Sequence, residues 1–212
     1  MSVSLQTHWD TVYREKGEAQ TSWFRPRLDA SLQLIDALDL PRDQAVLDVG
    51  GGRSTLVDDL LQRGFVDVSV LDLSAVAINE TQQRLGAQAN RVRWIVGDVT
   101  QIELPASHYA LWHDRAVFHF LTDAAEQARY VAAAAHALKP GAYLVIGTFA
   151  ADGPERCSGM PVARYDAATL AATFAPAFTR ITDGRDVHYT PSGNEQAFTY
   201  VVLRRQDDGA GA

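Results

Sequence analysis

Four aspartates stand where apolar runs of the chain end. Asp48 falls inside Ala45-Val-Leu-Asp-Val49 and is followed by Gly50, Gly51 and Gly52. Asp72, with Leu73 after it, closes Val66-Asp-Val-Ser-Val-Leu71; Asp98 and Val99 follow Val92-Arg-Trp-Ile-Val96; Asp114 follows Tyr109-Ala-Leu-Trp-His113. A carboxylate can accept two hydrogen bonds at once, which suits a ribose diol. Glycines adopt φ > 0 and let backbone approach a ligand closely. An acidic strand tip about 20 positions beyond such a turn is the spacing of a ribose holder. Downstream, Arg115 and His119 lie four residues apart. On a helix they would share a face, one to orient a polar or anionic molecule and the other to take its proton. His113 reads as a strand-end residue beside the ligand. Tyr13 and Trp23 supply aromatic surface near the N-terminus. Arg164 and Tyr165 follow a long Gly/Pro-containing loop, 150–162, of the length that often carries function.

These residues need a frame that brings strand tips together. Ser4 to Lys16 and Leu28 to Leu40 carry apolar residues at helical spacing and stop at Gly17 and Pro41. The first strand then leads through the glycine turn into a helix over 55–63. The second leads into a helix over 74–85, which opens on a capping serine. The third and fourth strands follow, and then an alanine-rich helix over 122–138. Lys139-Pro140-Gly141 ends that helix before a fifth strand, 142–149. A short helix over 166–174 precedes two strands, 178–183 and 196–204. Strand–helix alternation from 45 to 149 predicts a parallel sheet with helices on both faces. The last two strands are too close for a parallel crossover and form an antiparallel hairpin with a long turn. Ligands of such sheets bind beyond the carboxyl ends of the strands, where the four aspartates gather.

The glycine turn fits the dinucleotide fingerprint G-x-G-x-x-G poorly, because its third position falls on Arg53. It resembles D-x-G-x-G-x-G, the first motif of class I S-adenosylmethionine-dependent methyltransferases: Asp48, Gly50 and Gly52 match, and Ser54 replaces the last glycine. The resemblance implies a Rossmann-like seven-stranded α/β sheet, mostly parallel with a C-terminal antiparallel hairpin. It also implies S-adenosyl-L-methionine as cofactor, held by Asp48, Gly50, Gly51, Gly52, Asp72, Leu73, Asp98, Val99, His113 and Trp23. Lys139-Pro140-Gly141 matches that family's turn before its fifth strand. The pattern His8-Trp-Asp-Thr-Val-Tyr13 is similar to that of elongation-factor lysine methyltransferases. It also looks like that of thiopurine and thiol methyltransferases, in which an aromatic segment covers the cofactor. Asp114-Arg115 resembles a pair in the thiopurine enzymes whose arginine lies near the substrate. This places Tyr13, Arg115, Arg164 and Tyr165 on the substrate side, with His119 and Arg115 as catalysts.

The whole chain sets bounds. Its 212 residues fit one domain over 1–205, with a lid segment over 1–41, a core over 45–205 and a disordered tail over 206–212. A formal charge of −7 argues against a nucleic-acid partner. Neither a signal peptide nor an apolar run of membrane-spanning length is legible, so a cytoplasmic protein, monomeric and free of membrane, is expected. Cys157 is the single cysteine, and no metal-ligand spacing and no Ser-His-Asp arrangement stand out. Methylation of a small-molecule nucleophile, a thiol or similar, is the first expectation. Protein-lysine methylation and a non-catalytic S-adenosylmethionine-binding module are the alternatives.

Overall fold

The computed structural model describes residues 2–17 and 20–207, with side chains from Leu5 onward. Helices α1 (Ser2–Glu15) and α2 (Asp29–Ala37) precede the sheet. Then β1 (Val46–Val49), α3 (Leu56–Gln62), β2 (Val68–Asp72), α4 (Ala75–Leu85), β3 (Val92–Val96) and β4 (Tyr109–Arg115) alternate. Helix α5 (Ala124–Ala137) leads into β5 (Leu138–Phe149), and a small hairpin of β6 (Arg156–Cys157) and β7 (Met160–Pro161) follows. Helix α6 (Ala167–Thr173), β8 (Phe178–Tyr189) and β9 (Glu195–Arg205) close the chain.

The seven strands of the main sheet run in the order β3-β2-β1-β4-β5-β9-β8. The first five are parallel, and β9 and β8 are antiparallel to their neighbours. β1 and β2 are buried along their whole length, as strands covered on both faces must be. Alternate residues feed two cores. Val46, Val70, Leu111 and Val145 pack with Leu32 and Ile35 of α2 and Leu56 and Leu60 of α3. Leu47, Trp112, Leu144 and Ile146 pack with Tyr130 of α5 and Leu170 of α6. Side-chain caps fix three helix starts: Ser74 for α4, Asp123 for α5 and Asp166 for α6.

Four expectations are corrected. Lys139-Pro140-Gly141 lies inside β5, which starts at Leu138, and the irregularity is absorbed by a register shift opposite Tyr109 and Leu111. The 150–162 loop contains β6 and β7. The C-terminal turn is short, because β8 continues through Asp183, Gly184, Arg185 and Asp186 to Tyr189. Those polar residues lie on an exposed edge strand, so no buried face writes a period of two into the sequence. Of the tail, residues 208–212 lie outside the described residues, while the Gln206 N–H donates to the Ala177 carbonyl at 2.9 Å, one residue beyond the end of β9.

Candidate active site

Sheet order reverses at β1, where β2 and β3 lie to one side and β4 and β5 to the other. The carboxyl ends of these strands open onto a cavity of about 310 Å³. Asp72, Leu73, Asp98, Val99 and Thr100 line it from β2 and β3, and Gly50 from the glycine turn. Arg115, Ala116, Phe120, Cys157, Met160 and Pro161 line it from β4 and the small hairpin, and Leu5, Trp9 and Tyr13 from α1. A second cavity of about 50 Å³ adjoins it, walled by Tyr13, Trp23, Arg25, Asp48, Gly50, His113 and Arg115 among others.

Asp72 is buried, and each of its oxygens is already oriented. Oδ2 accepts the Gly52 N–H at 2.9 Å and Oδ1 the Ser74 N–H at 2.7 Å. Each keeps a lone pair for a hydroxyl donor. Burial pushes its carboxyl up to about 6, against the pull of those two N–H groups. The glycines form a cradle that side chains would fill. A Cβ on Gly52 would stand 2.6 Å from Asp72 Oδ2, and one on Gly51 2.3 Å from Asp48 Oδ2. Gly50 has φ +71°, and a Cβ there would stand 2.0 Å from Val117 Cγ2. Asp98 is held by Thr100 and Gln101, whose side chains donate at 2.8 and 2.6 Å. Asp48 gives Oδ1 to His113, while its Oδ2 is buried without a partner beside the smaller cavity. The structure thus fits a ligand with a diol at Asp72 and a donor group at Asp48.

Aromatic rings close the other side. Trp9 meets Phe120, Trp23 and Tyr13 at centroid distances of 5.1, 5.7 and 6.0 Å. Arg115 is anchored by the Tyr200 hydroxyl and the Trp23 carbonyl, each at 3.2 Å, and lies 4.4 Å over the Phe198 ring. The loop carrying Trp23 is hooked from β8 as well. Arg25 Nε donates to His188 Nδ1 at 2.9 Å, its Nη2 meets the Val187 carbonyl at 2.8 Å, and His188 Nε2 donates to the Ser22 carbonyl at 2.7 Å.

Three expected substrate-side residues are not brought to the cavity. His119 is fully buried on a short 3₁₀ turn, Phe118–Phe120, between the rings of Phe120 and Phe149, and accepts the Phe149 N–H. Arg115 ends a strand, so the two do not share a helix face. Burial, with the Arg115 charge nearby, pushes the His119 imidazole down to about 3. Arg164 is exposed and bonds the Gly153 carbonyl and Glu155. Tyr165 packs on Phe118, and its hydroxyl accepts from Gln127. Asp114 is also structural: it takes the Val117 and Phe118 N–H groups at 2.8 and 3.0 Å and the Tyr130 hydroxyl at 2.5 Å. Cys157 does reach the cavity wall, with its thiol pushed up to about 11 by burial. Sequence reasoning missed Arg53, Phe120 and Met160. Of these only Arg53 carried a signal, a charged side chain inside a glycine turn.

A mostly parallel seven-stranded sheet with this terminal antiparallel pair, a glycine turn after β1 and a carboxylate at the tip of β2 is the Rossmann-like fold that S-adenosylmethionine-dependent methyltransferases of solved structure also have. A methyltransferase-domain model matches residues 46–141. The eEF1A lysine and N-terminal methyltransferase of Mus musculus is 25% identical over 120 residues, covering 56% of this chain and 17% of that protein. The EEF1A lysine methyltransferase 2 of Homo sapiens is 23% identical over 126 residues, covering 55% of this chain and 53% of that one. The chain therefore spans about half or less of these curated relatives. Among solved structures, one described as "Conversion of a Disulfide Bond into a Thioacetal Group during Echinomycin Biosynthesis" superposes with a TM-score of 0.79 at 19% identity, covering 97% of this chain and 94% of that one. A 1,6-didemethyltoxoflavin-N1-methyltransferase of Burkholderia thailandensis, solved with its substrate and S-adenosylhomocysteine, gives 0.68 at 22% identity, covering 97% and 85%. Among the described residues no helix is long and apolar enough to cross a membrane, and no group of potential metal ligands occurs.

Proposed function

We propose that this protein transfers the methyl group of S-adenosylmethionine to a small-molecule nucleophile, a thiol or similar soft acceptor. The observation that carries this is the wall that faces the strand tips across the cavity. α1, the Trp23 loop and the β6–β7 hairpin all border one cavity of about 310 Å³, at the small end of the range for ligand sites. The cofactor would take much of that space, which favours a compact acceptor. Both solved structures named above superpose on nearly all of this chain, and the toxoflavin enzyme was solved with the small molecule 1,6-didemethyltoxoflavin bound.

In this reading Asp72 holds the ribose hydroxyls, and Leu73, Asp98 and Val99 receive the adenine. The glycine turn and Asp48 face the methionine end. When bound, S-adenosylmethionine supplies a methyl group activated by a sulfonium. The chain supplies alignment and exclusion of water: Trp9, Tyr13, Trp23 and Phe120 shield the site, and Arg115 orients the acceptor. His119 keeps no catalytic role here, because it does not reach the cavity.

The curated lysine-methyltransferase relatives support a second reading, in which the acceptor is a protein amine entering past a displaced α1. Radiolabelled cofactor with small thiols, aromatic heterocycles and cell-extract proteins separates the two. Labelling confined to protein bands overturns the small-molecule proposal. Tight S-adenosylhomocysteine binding without transfer to any acceptor points to the non-catalytic module.

A further inference from the structure

Helix α1 forms one wall of the cavity with Leu5, Trp9 and Tyr13, spaced four residues apart on one face. It is held there by residues of the two ligand loops. Arg53 follows Gly52 directly. Its guanidinium donates to the Tyr13 carbonyl and, at 2.7 Å, to the Lys16 carbonyl, and lies 4.9 Å over the Tyr13 ring. Its Nε pairs with Glu80 of α4. These carbonyls end α1, where intrahelical donors run out and a cation is favoured. On the same helix, Asp10 Oδ1 accepts the Ser74 hydroxyl at 2.5 Å.

Both anchors sit next to the groups that orient Asp72. Gly52, the neighbour of Arg53, gives its N–H to one oxygen, and Ser74 gives its N–H to the other. Movement of either loop therefore moves an anchor of α1 and a bond to Asp72 together.

We propose that Arg53 and the Asp10–Ser74 pair form a latch that couples ligand seating at Asp72 to docking of α1, so that an occupied cofactor site completes the acceptor wall. The identity of that ligand rests on the methyltransferase reading. A ligand that favours the docked arrangement must be bound more tightly by it, and the coupling is reciprocal.

The test uses the full chain, with S-adenosylhomocysteine as probe. Amide hydrogen exchange over residues 5–15 and calorimetric affinity are measured for the wild type, Arg53→Met, Asp10→Ala and the double variant. S-adenosylhomocysteine should slow exchange of α1 in the wild type. Arg53→Met should lose most of that protection and bind about 5–150-fold more weakly, the usual span of allosteric coupling, chiefly through faster dissociation. Asp10→Ala lies outside both ligand loops, removes the acceptor of the Ser74 hydroxyl and should act in the same direction. The double variant should fall short of the summed effects, because an undocked helix leaves the second anchor nothing to hold. The latch is overturned if α1 exchange ignores the ligand, if Arg53→Met and Asp10→Ala bind like the wild type, or if their effects simply add. A wild type that binds no S-adenosylhomocysteine at all would condemn the cofactor reading instead.

Discussion

The imidazole Nδ1 of His113 lies 2.7 Å from Oδ1 of Asp48. The two residues are register partners on the adjacent parallel strands β1 and β4, so the sheet itself makes the contact. Nε2 of the same ring lies 2.9 Å from the Ser31 hydroxyl. A neutral imidazole that donates from Nδ1 to this carboxylate accepts the Ser31 hydroxyl at Nε2. The chain thus builds an acid–imidazole–hydroxyl line from positions far apart in sequence, where no such arrangement was expected. Ser31 is fully buried, so the line serves structure. It ties α2 to the strand tips beside the smaller cavity.

Ser31→Ala leaves the buried Nε2 without a donor. Denaturant unfolding should show a loss of about 1–3 kcal/mol, the cost of an unsatisfied buried group. The wild type should hydrolyse no activated ester. Ester turnover that depends on Ser31 would refute the structural assignment.

In the ribose-holding role proposed for it, Asp72 needs its carboxylate form to accept both hydroxyls. With its carboxyl pushed up to about 6 by burial, protonation begins close to neutrality. S-adenosylhomocysteine affinity should therefore weaken as pH falls through about 6. Asp72→Asn should flatten this profile, and Asp72→Ala should cost about 1.5–3 kcal/mol of binding. Calorimetry at a series of pH values reads both effects. A flat wild-type profile with an unimpaired alanine variant would remove Asp72 from the site.

His119 is held neutral with its imidazole pushed down to about 3, below its usual 6.5. The unfolded chain binds the proton first, so this group's contribution to stability is full above about 6.5 and is lost as pH falls toward 3. Asp72 and Asp114, both raised to about 6, work the opposite way between about 4 and 6 and offset part of that slope. His119→Ala should lower Tm and shrink the His-linked part of the acid dependence, while methyl transfer per folded molecule stays near wild type. A turnover loss of 10²-fold or more in folded protein would restore the general-base assignment.

The parallel half of the sheet was legible because its strands are short apolar runs between amphipathic helices, each ended by glycine or a capping residue. Asp72 was legible for the same reason, since a carboxylate at a strand tip interrupts an apolar run. The sequence could not show that His119 turns inward. Arg115 and His119 have helical spacing, but a strand end and a 3₁₀ turn point them apart. Nor could it show β8 beyond Asp183, whose partners are supplied by β9 rather than by a periodic face. Arg53 was read as a flaw in a nucleotide fingerprint. Two of its contacts are the backbone carbonyls of Tyr13 and Lys16, and a carbonyl leaves no mark in residue identity.

The hook between Arg25 and His188 joins residues 163 positions apart. During synthesis the glycine turn, Asp72 and Asp98 are all made before β8 and β9 exist. The loop that carries Trp23 must wait for them, since His188 holds Ser22 and Arg25, and Tyr200 holds the Arg115 that reaches Trp23. Contacts of such long span are costly to close early in folding. A nascent chain that stops short of β8 can build the ligand turn but cannot fix the aromatic wall. Completion of the aromatic wall is therefore timed to the synthesis of β8 and β9, well after the ligand turn has been made.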